Sequence, residues 1–312
     1  MDIEATRASG RYLTLGDGRR IWYRFVPGSG PTVVLLHGIS GSSYAMRPLA
    51  VPFHAARRST LLVDLRGHGF SDSPAACDRA SLAQHVSDVS AVMRECRIAD
   101  ADLVGHCFGS MIAVRLASTR PDIVRRIVLV SATLHPCDGT RASLCWKAIG
   151  AVGAAFRTFA PRTYRARVQE QYDTSVFPRV SDVHLSRMRQ DFRHTSFANA
   201  VATMMAMSRE ELDAEAAALR LPVLGVHGAK DAWVPWRNPQ RSAGMIPGAR
   251  FDLREAEGHC SLVLRPDCGL PVEVFEFLSA DADRGPRLGR LPDLGAARAD
   301  RDRVDPGLAR LA

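Results

Sequence analysis

The fold class predicted for this chain is α/β, with a mainly parallel sheet covered by helices on both faces, and three observations predict it. Short apolar, β-branched runs recur in the first and last thirds of the chain. They alternate with segments whose apolar residues fall at helical spacing. One strand–turn–helix passage, 101–119, carries a glycine on each side of a reactive side chain. Strands that alternate with helices imply parallel pairing, because each crossover lays a helix on a face of the sheet.

Taken in order, residues 11–15 and 20–25 read as short strands separated by the turn Gly16-Asp17-Gly18. Residues 32–36 and 60–63 are apolar runs of the kind found in buried strands. Residues 81–96 are helical, since Leu82, Val86, Val89, Val92 and Met93 fall on one face. A strand at 101–104 runs into Gly105, a helix follows at 110–119, and 127–130 is a strand again. The alternation resumes with a strand at 223–226, a helix at 240–245, a strand at 249–253 and a helix at 272–278.

The stretch 133–219 lacks strand-like runs. It is rich in alanine, methionine and arginine and reads as several helices broken near Pro161 and Pro178. The expected organisation is a core in two parts, 1–132 and 220–280, with 133–219 as a helical cap between them. Residues 281–312, full of Arg, Asp, Gly and Pro, are expected to form a disordered tail.

Composition narrows the function classes. The chain has 312 residues, 46% hydrophobic and 24% charged, which is ordinary for a globular protein. The net charge of +8 comes from 41 basic against 33 acidic residues, and only Lys147 and Lys230 are lysines. The arginines are scattered, with no aromatic-interleaved basic motif, so a solvated basic surface is expected and a nucleic-acid partner is not. The seven cysteines form no CxxC pair, which argues against a zinc site. No cofactor motif is found. The N-terminus lacks the pattern of a secretory signal, and no apolar run is long enough to span a bilayer. A cytoplasmic protein with reduced thiols and no membrane span is expected.

The chemistry centres on Gly105-His106-Cys107-Phe108-Gly109. A sharp strand-to-helix turn pushes its central side chain out at the top of a sheet, and the flanking glycines let strand and helix approach. A buried core cysteine is the ordinary alternative. Three further runs weigh against it. Leu36-His37-Gly38-Ile39 follows a strand, and the backbone N–H groups of Ile39 and Phe108 are candidates for an oxyanion hole. His227-Gly228-Ala229-Lys230-Asp231 offers an acid after a strand. Glu257-Gly258-His259 offers a base after the next. No acid directly follows Val130, the other place to look for one. The order nucleophile, acid, base assigns Cys107, Asp231 and His259.

These runs resemble the α/β-hydrolase superfamily, and the resemblance spans residues 11–278. Asp64-Leu65-Arg66-Gly67-His68-Gly69-Phe70-Ser71-Asp72 is similar to the branch that holds small esterases, C–C hydrolases and epoxide hydrolases. The resemblance implies an α/β-hydrolase fold with eight strands, a helical cap and a structural role for the Arg and Gly residues of that run. The departure is Cys107, where most of the branch carries serine. An elbow cysteine resembles dienelactone hydrolases, polyhydroxyalkanoate synthases and some thioesterases or acyltransferases.

Sulfur shapes the expected reaction. The acyl-enzyme would be a thioester, which exchanges with other thioesters almost without free-energy change and reacts well with amines and thiols. Acyl transfer or thioester cleavage is therefore the first expectation, with ester or lactone hydrolysis as the alternative. A binding protein without catalysis is the alternative of a different class. The expected partner is a small-molecule acyl substrate, free or presented on coenzyme A or a carrier protein. Phe156, Phe159, Phe192, Phe197, Met204, Met205 and Met207 could line an apolar acyl tunnel, although such stripes are more often core.

Overall fold

The computed structural model describes residues 10–39, 41–73, 81–135, 140–165, 194–260, 263 and 268–280. Eight strands form one sheet: β1 (Arg11–Thr14), β2 (Arg20–Val26), β3 (Ser29–Leu36), β4 (Arg58–Val63), β5 (Ala101–His106), β6 (Val124–Val130), β7 (Val223–Gly228) and β8 (Arg250–Arg254). Their order is β1-β2-β4-β3-β5-β6-β7-β8. The β1–β2 and β2–β4 pairs are antiparallel and the other five pairs are parallel. The predicted mostly parallel eight-stranded α/β-hydrolase architecture is the one observed.

Side chains alternate across the sheet as the pleat requires. Val34, Leu36, Leu61, Val63, Leu103, Ile127 and Leu129 enter one core layer. Val33, Leu35, Leu62, Val104, Val128 and Val130 enter the other. The first layer is completed by α2 (Leu82–Glu95) and α3 (Phe108–Thr119), the second by α1 (Arg47–Ala55) and α9 (Leu270–Ser279). Ser81 caps α2, its side chain accepting from the Gln84 N–H.

Helix α1 has no counterpart in the sequence reading, because Pro48 and Pro52 look like breakers. Pro48 falls in the first turn, where no N–H is needed. Pro52 lies inside the helix and is buried with Leu49, Ala50 and Phe53, and the Phe53 ring meets Phe275 of α9 at 5.4 Å. Burial of this apolar face offsets the lost hydrogen bond.

Between β6 and β7 lie α4 (Thr140–Phe159), α5 (Pro161–Arg165), α6 (Phe197–Met207) and α7 (Asp213–Ala218), and α8 (Arg237–Met245) lies between β7 and β8; Pro178 and Phe192 fall outside the described residues. Met207, Leu212, Ala216 and Leu219 join the first core layer. Asn199 ties α6 to the loop after β4, its Nδ2 lying 3.0 Å from the Gly67 carbonyl oxygen and 2.9 Å from Ser73 Oγ. The proposed tunnel residues part company: Met207 is core, Phe156 packs edge-on against Phe197, and Phe159 is 86% exposed. The tail, 281–312, lies outside the described residues.

The connections explain where a site can form. The chain passes from β3 to β4 on one side, then crosses back to β5 on the other side of β3. At such a switch point the loops leaving adjacent strands diverge and open a crevice at their carboxyl ends. His37 to Ile39 and Cys107 leave the sheet there.

Candidate active site

Cys107 links β5 to α3 at φ 52 and ψ −114, a left-handed conformation that a non-glycine residue adopts only under strain. The neighbours hold it there. Its N–H donates to the Val130 carbonyl at 2.9 Å, and its carbonyl accepts the Ser110 N–H at 3.0 Å. Ser110 Oγ donates back to the Gly105 carbonyl at 2.7 Å, which occupies that hydroxyl structurally. A Cβ on Gly105 would lie 2.5 Å from the backbone of Gly109, and one on Gly109 would lie 2.2 Å from the Leu36 carbonyl oxygen. The turn closes only because both residues lack side chains. Cys107 is 8% exposed and starts a helix whose first N–H groups favour a negative charge.

The two oxyanion-hole candidates stand on adjacent strands. Leu36 pairs with Gly105, so His37-Gly38 runs beside His106-Cys107. A Cβ on Gly38 would lie 2.9 Å from Cys107 Cβ. His37 is fully buried, its Nδ1–H donating to the Gly38 carbonyl at 2.8 Å and its Nε2 accepting the Leu65 N–H at 2.9 Å. The Gly38 carbonyl also accepts the Gly41 N–H. A planar trans peptide points its N–H opposite its carbonyl, so fixing that carbonyl also fixes the direction of the Ile39 N–H. Phe108 is the first residue of α3, where an N–H has no intrahelical acceptor. Burial holds His37 below its ordinary pKa, the nearby Asp64 charge opposing, and leaves it neutral.

His259 Nδ1 lies 2.6 Å from Asp231 Oδ2. The Asp231 side chain is fully buried, and its Oδ1 accepts the N–H groups of Trp233 and Val234 at 2.8 and 2.9 Å. His227 shapes the same turn by donating its Nε2–H to the Val234 carbonyl at 2.9 Å. Acid and base loops are joined by Lys230 N–H to the Glu257 carbonyl, and a Cβ on Gly228 would meet that same oxygen at 2.3 Å. Burial works against the Asp231 carboxylate, but the hydrogen bond and charge of His259 and the Val234 amide outweigh it and hold its pKa below the usual range. Burial likewise works against a charged His259. Its electrostatic interaction with Cys107 and its hydrogen bonds with Asp231 and Cys107 outweigh it, and its pKa stands well above the ordinary histidine value.

Asp64 organises the loop beneath, accepting the N–H groups of Ser43 at 2.7 Å and Phe70 at 2.8 Å. Arg66 makes a two-point pair with Asp88 at 2.7 and 2.8 Å, both side chains buried. The structure therefore brings Cys107, His259, Asp231, Ile39 and Phe108 to one edge of the sheet. Missed in the sequence were His37, His227, His106 and Ser131. The first three were visible as histidines inside the quoted motifs; Ser131 carried no sequence signal. Ser40 lies outside the described residues. Among the described residues no group of three or more His, Cys, Asp or Glu side chains is arranged to hold a metal ion, and no helix is long and apolar enough to cross a membrane.

An eight-stranded, mostly parallel α/β sheet with a strained elbow residue, a buried acid and a histidine at its carboxyl edge defines the α/β-hydrolase fold class. The chain belongs to the alpha/beta hydrolase fold family, whose description matches residues 31–266. It is 33% identical over 135 residues to 2-(acetamidomethylene)succinate hydrolase of Mesorhizobium japonicum, covering 43% of this chain and 48% of that one. It is 34% identical to a haloalkane dehalogenase of Mycobacterium marinum, covering 36% and 38%. These matches span less than half the length of either relative. A longer match, 28% identical, reaches a protein named for carbamate hydrolysis, RutD of Variovorax paradoxus, over 76% of this chain and 88% of that one. Among solved structures, the enol-lactonase of Burkholderia xenovorans superposes with a TM-score of 0.70 at 23% identity, covering 86% of this chain and all of the other. That likeness is one of fold.

Proposed function

We propose that this enzyme forms a thioester on Cys107 during acyl transfer or thioester cleavage, with His259 as proton carrier and Asp231 as its orienting acid. The observation that carries the reading is the strained elbow at φ 52 bearing a sulfur, served by a histidine whose other nitrogen is 2.6 Å from a buried carboxylate. The thiolate of Cys107 attacks the acyl carbon, and the carbonyl electron pair moves onto oxygen, facing the N–H groups of Ile39 and Phe108. Collapse expels the leaving thiol or alcohol, which takes its proton from the His259 imidazolium. An incoming thiol, amine, alcohol or water then gives a proton to His259 and attacks the thioester, and the Cys107 thiolate is released. Helices α4 to α6, which depart from the carboxyl edge of β6, are the proposed cover. The substrate is a small acyl compound, free or carried on coenzyme A or a carrier protein, and the proposed setting is cytoplasmic.

Hydrolysis of a carboxylic ester or lactone is the second reading, and the relative named 2-(acetamidomethylene)succinate hydrolase favours water as the acceptor. Intact mass after incubation with a panel of acyl thioesters and esters tests the common step, and the expected result is one acyl adduct that maps to Cys107. An adduct elsewhere with Cys107 free overturns the assignment, and a stable non-covalent complex without any adduct favours a binding protein. Varying the acceptor on the loaded enzyme separates the two readings: transfer product in preference to free acid is expected, and free acid alone across a broad acceptor set selects the hydrolase.

A further inference from the structure

The carbonyl of His259 is held twice. His106 donates its Nε2–H to it at 3.0 Å, and Ser131 donates its Oγ–H at 3.1 Å. The donors come from adjacent strands: His106 is the last residue of β5, directly before Cys107, and Ser131 directly follows β6. The His106 and His259 rings also touch, with centroids 5.0 Å apart.

Ser131 shows that this contact is imposed. It is fully buried and sits at φ 50, a left-handed conformation for a residue with a Cβ. Such conformations cost on the order of 1–3 kcal/mol and persist where surrounding structure over-determines them. Here the Ser131 N–H donates to the Val226 carbonyl at 2.9 Å while its hydroxyl reaches His259.

We propose that His106 and Ser131 are positioning residues that clamp the His259 backbone and so hold the imidazole between Asp231 and the Cys107 sulfur. The proposal rests on the Cys107–His259–Asp231 reading. Asp231 fixes the side chain at one ring nitrogen only, Nδ1; His259 itself belongs to a loop, and a shift of its backbone would swing the ring. Misplacement by about 1 Å can cost a hundredfold in rate. A carbonyl held from two strands removes that freedom. Both donors are also uncharged where a cation would oppose the imidazolium. Burial pushes His106 down to about 3, and the His259 charge pushes the same way.

The test reads the ion pair without needing a substrate: the pH dependence of Cys107 alkylation by iodoacetamide, located by peptide mapping, together with the melting temperature of the full chain. In the unaltered protein, alkylation should stay fast at mildly acidic pH and depend on His259. In His106→Phe with Ser131→Ala, that reactivity should fall at least tenfold. His106→Gln should retain most of it, because the amide nitrogen can take the place of Nε2. Ser131→Gly removes the hydroxyl and relieves the positive φ, so reactivity should fall while the melting temperature holds or rises. A purely structural role would move both together. An unchanged profile in the double variant refutes the clamp, as does a loss in Ser131→Gly that only follows a loss of stability. If the double variant does not fold, Ser131→Gly decides alone. If His259→Ala keeps the profile of the unaltered protein, the fault lies in the underlying site reading.

Discussion

His259 Nδ1 and Asp231 Oδ2 lie 2.6 Å apart, although 28 residues separate them in the chain and they leave different strands. The carboxylate is anchored, since its second oxygen accepts two backbone N–H groups. Replacing His259 by Ala should lower kcat by roughly a hundredfold to ten-thousandfold, the usual contribution of a general base. Asp231→Asn should cost less, because a thiol ionises more readily than a hydroxyl. Steady-state kinetics on the best acyl donor decide it; an unaltered rate in Asp231→Asn would place the acid elsewhere.

The same carboxylate makes stability depend on pH. Its folded pKa lies below the ordinary value of 3.8, so the stability it contributes is present above that value. It is lost as pH falls through the lower, folded value. The melting-temperature gap between the unaltered protein and Asp231→Asn should therefore be steady at mildly acidic pH. Below about pH 4 it should narrow. Melting curves from pH 3 to 7 measure it.

Cys107→Ala should abolish turnover and adduct formation. Cys107→Ser should keep some ester hydrolysis, since the elbow geometry depends on the backbone and its glycines. Mass spectrometry and an ester assay on both variants check this, and full activity in Cys107→Ala would remove the covalent mechanism.

The glycines of the elbow should be intolerant. In Gly109→Ala the new methyl would meet the Leu36 carbonyl oxygen at 2.2 Å, with backbone on the other side of the contact. Overpacking of this kind costs about 1–3 kcal/mol or more. Gly16→Ala is the control, since nothing lies within 4 Å of its Cβ position. Denaturant titration should separate the two clearly; equal stability would mean that the elbow can relax.

The Arg66–Asp88 pair should behave as a buried ion pair. Arg66→Met leaves the Asp88 carboxylate without its two-point partner, and breaking such a pair costs about 3–5 kcal/mol. Adding Asp88→Leu should recover much of that loss, because two apolar residues can replace a buried pair. Urea midpoints of the three proteins read the outcome.

Strand 101–104 was legible because Leu103 and Val104 enter the two core layers on either face of the sheet. The ends were less so. Strand β3 begins at Ser29 and β6 at Val124, three residues before the apolar runs start. Ser29, Val124 and Arg126 join the sheet by backbone pairing, which leaves little mark on side-chain choice. Arg126 instead spends its charge on the carbonyls of Leu278 and Ala280. Helix α1 stayed hidden for the opposite reason: its prolines argued locally against what packing on α9 requires.

By itself, the sequence determined the alternation of strands and helices, the elbow around Cys107 and the order of elbow residue, acid and histidine. These are local or ordinal properties: periodicity along the chain, glycines within five residues, and loops that follow strands. Only the tertiary structure decided that Leu36 pairs with Gly105, that Asp231 is buried beneath His259, and that His106 and Ser131 both reach the His259 carbonyl. Those contacts depend on which strands become neighbours. A serine after a strand carries no trace of a partner 128 residues away until the sheet brings the two together.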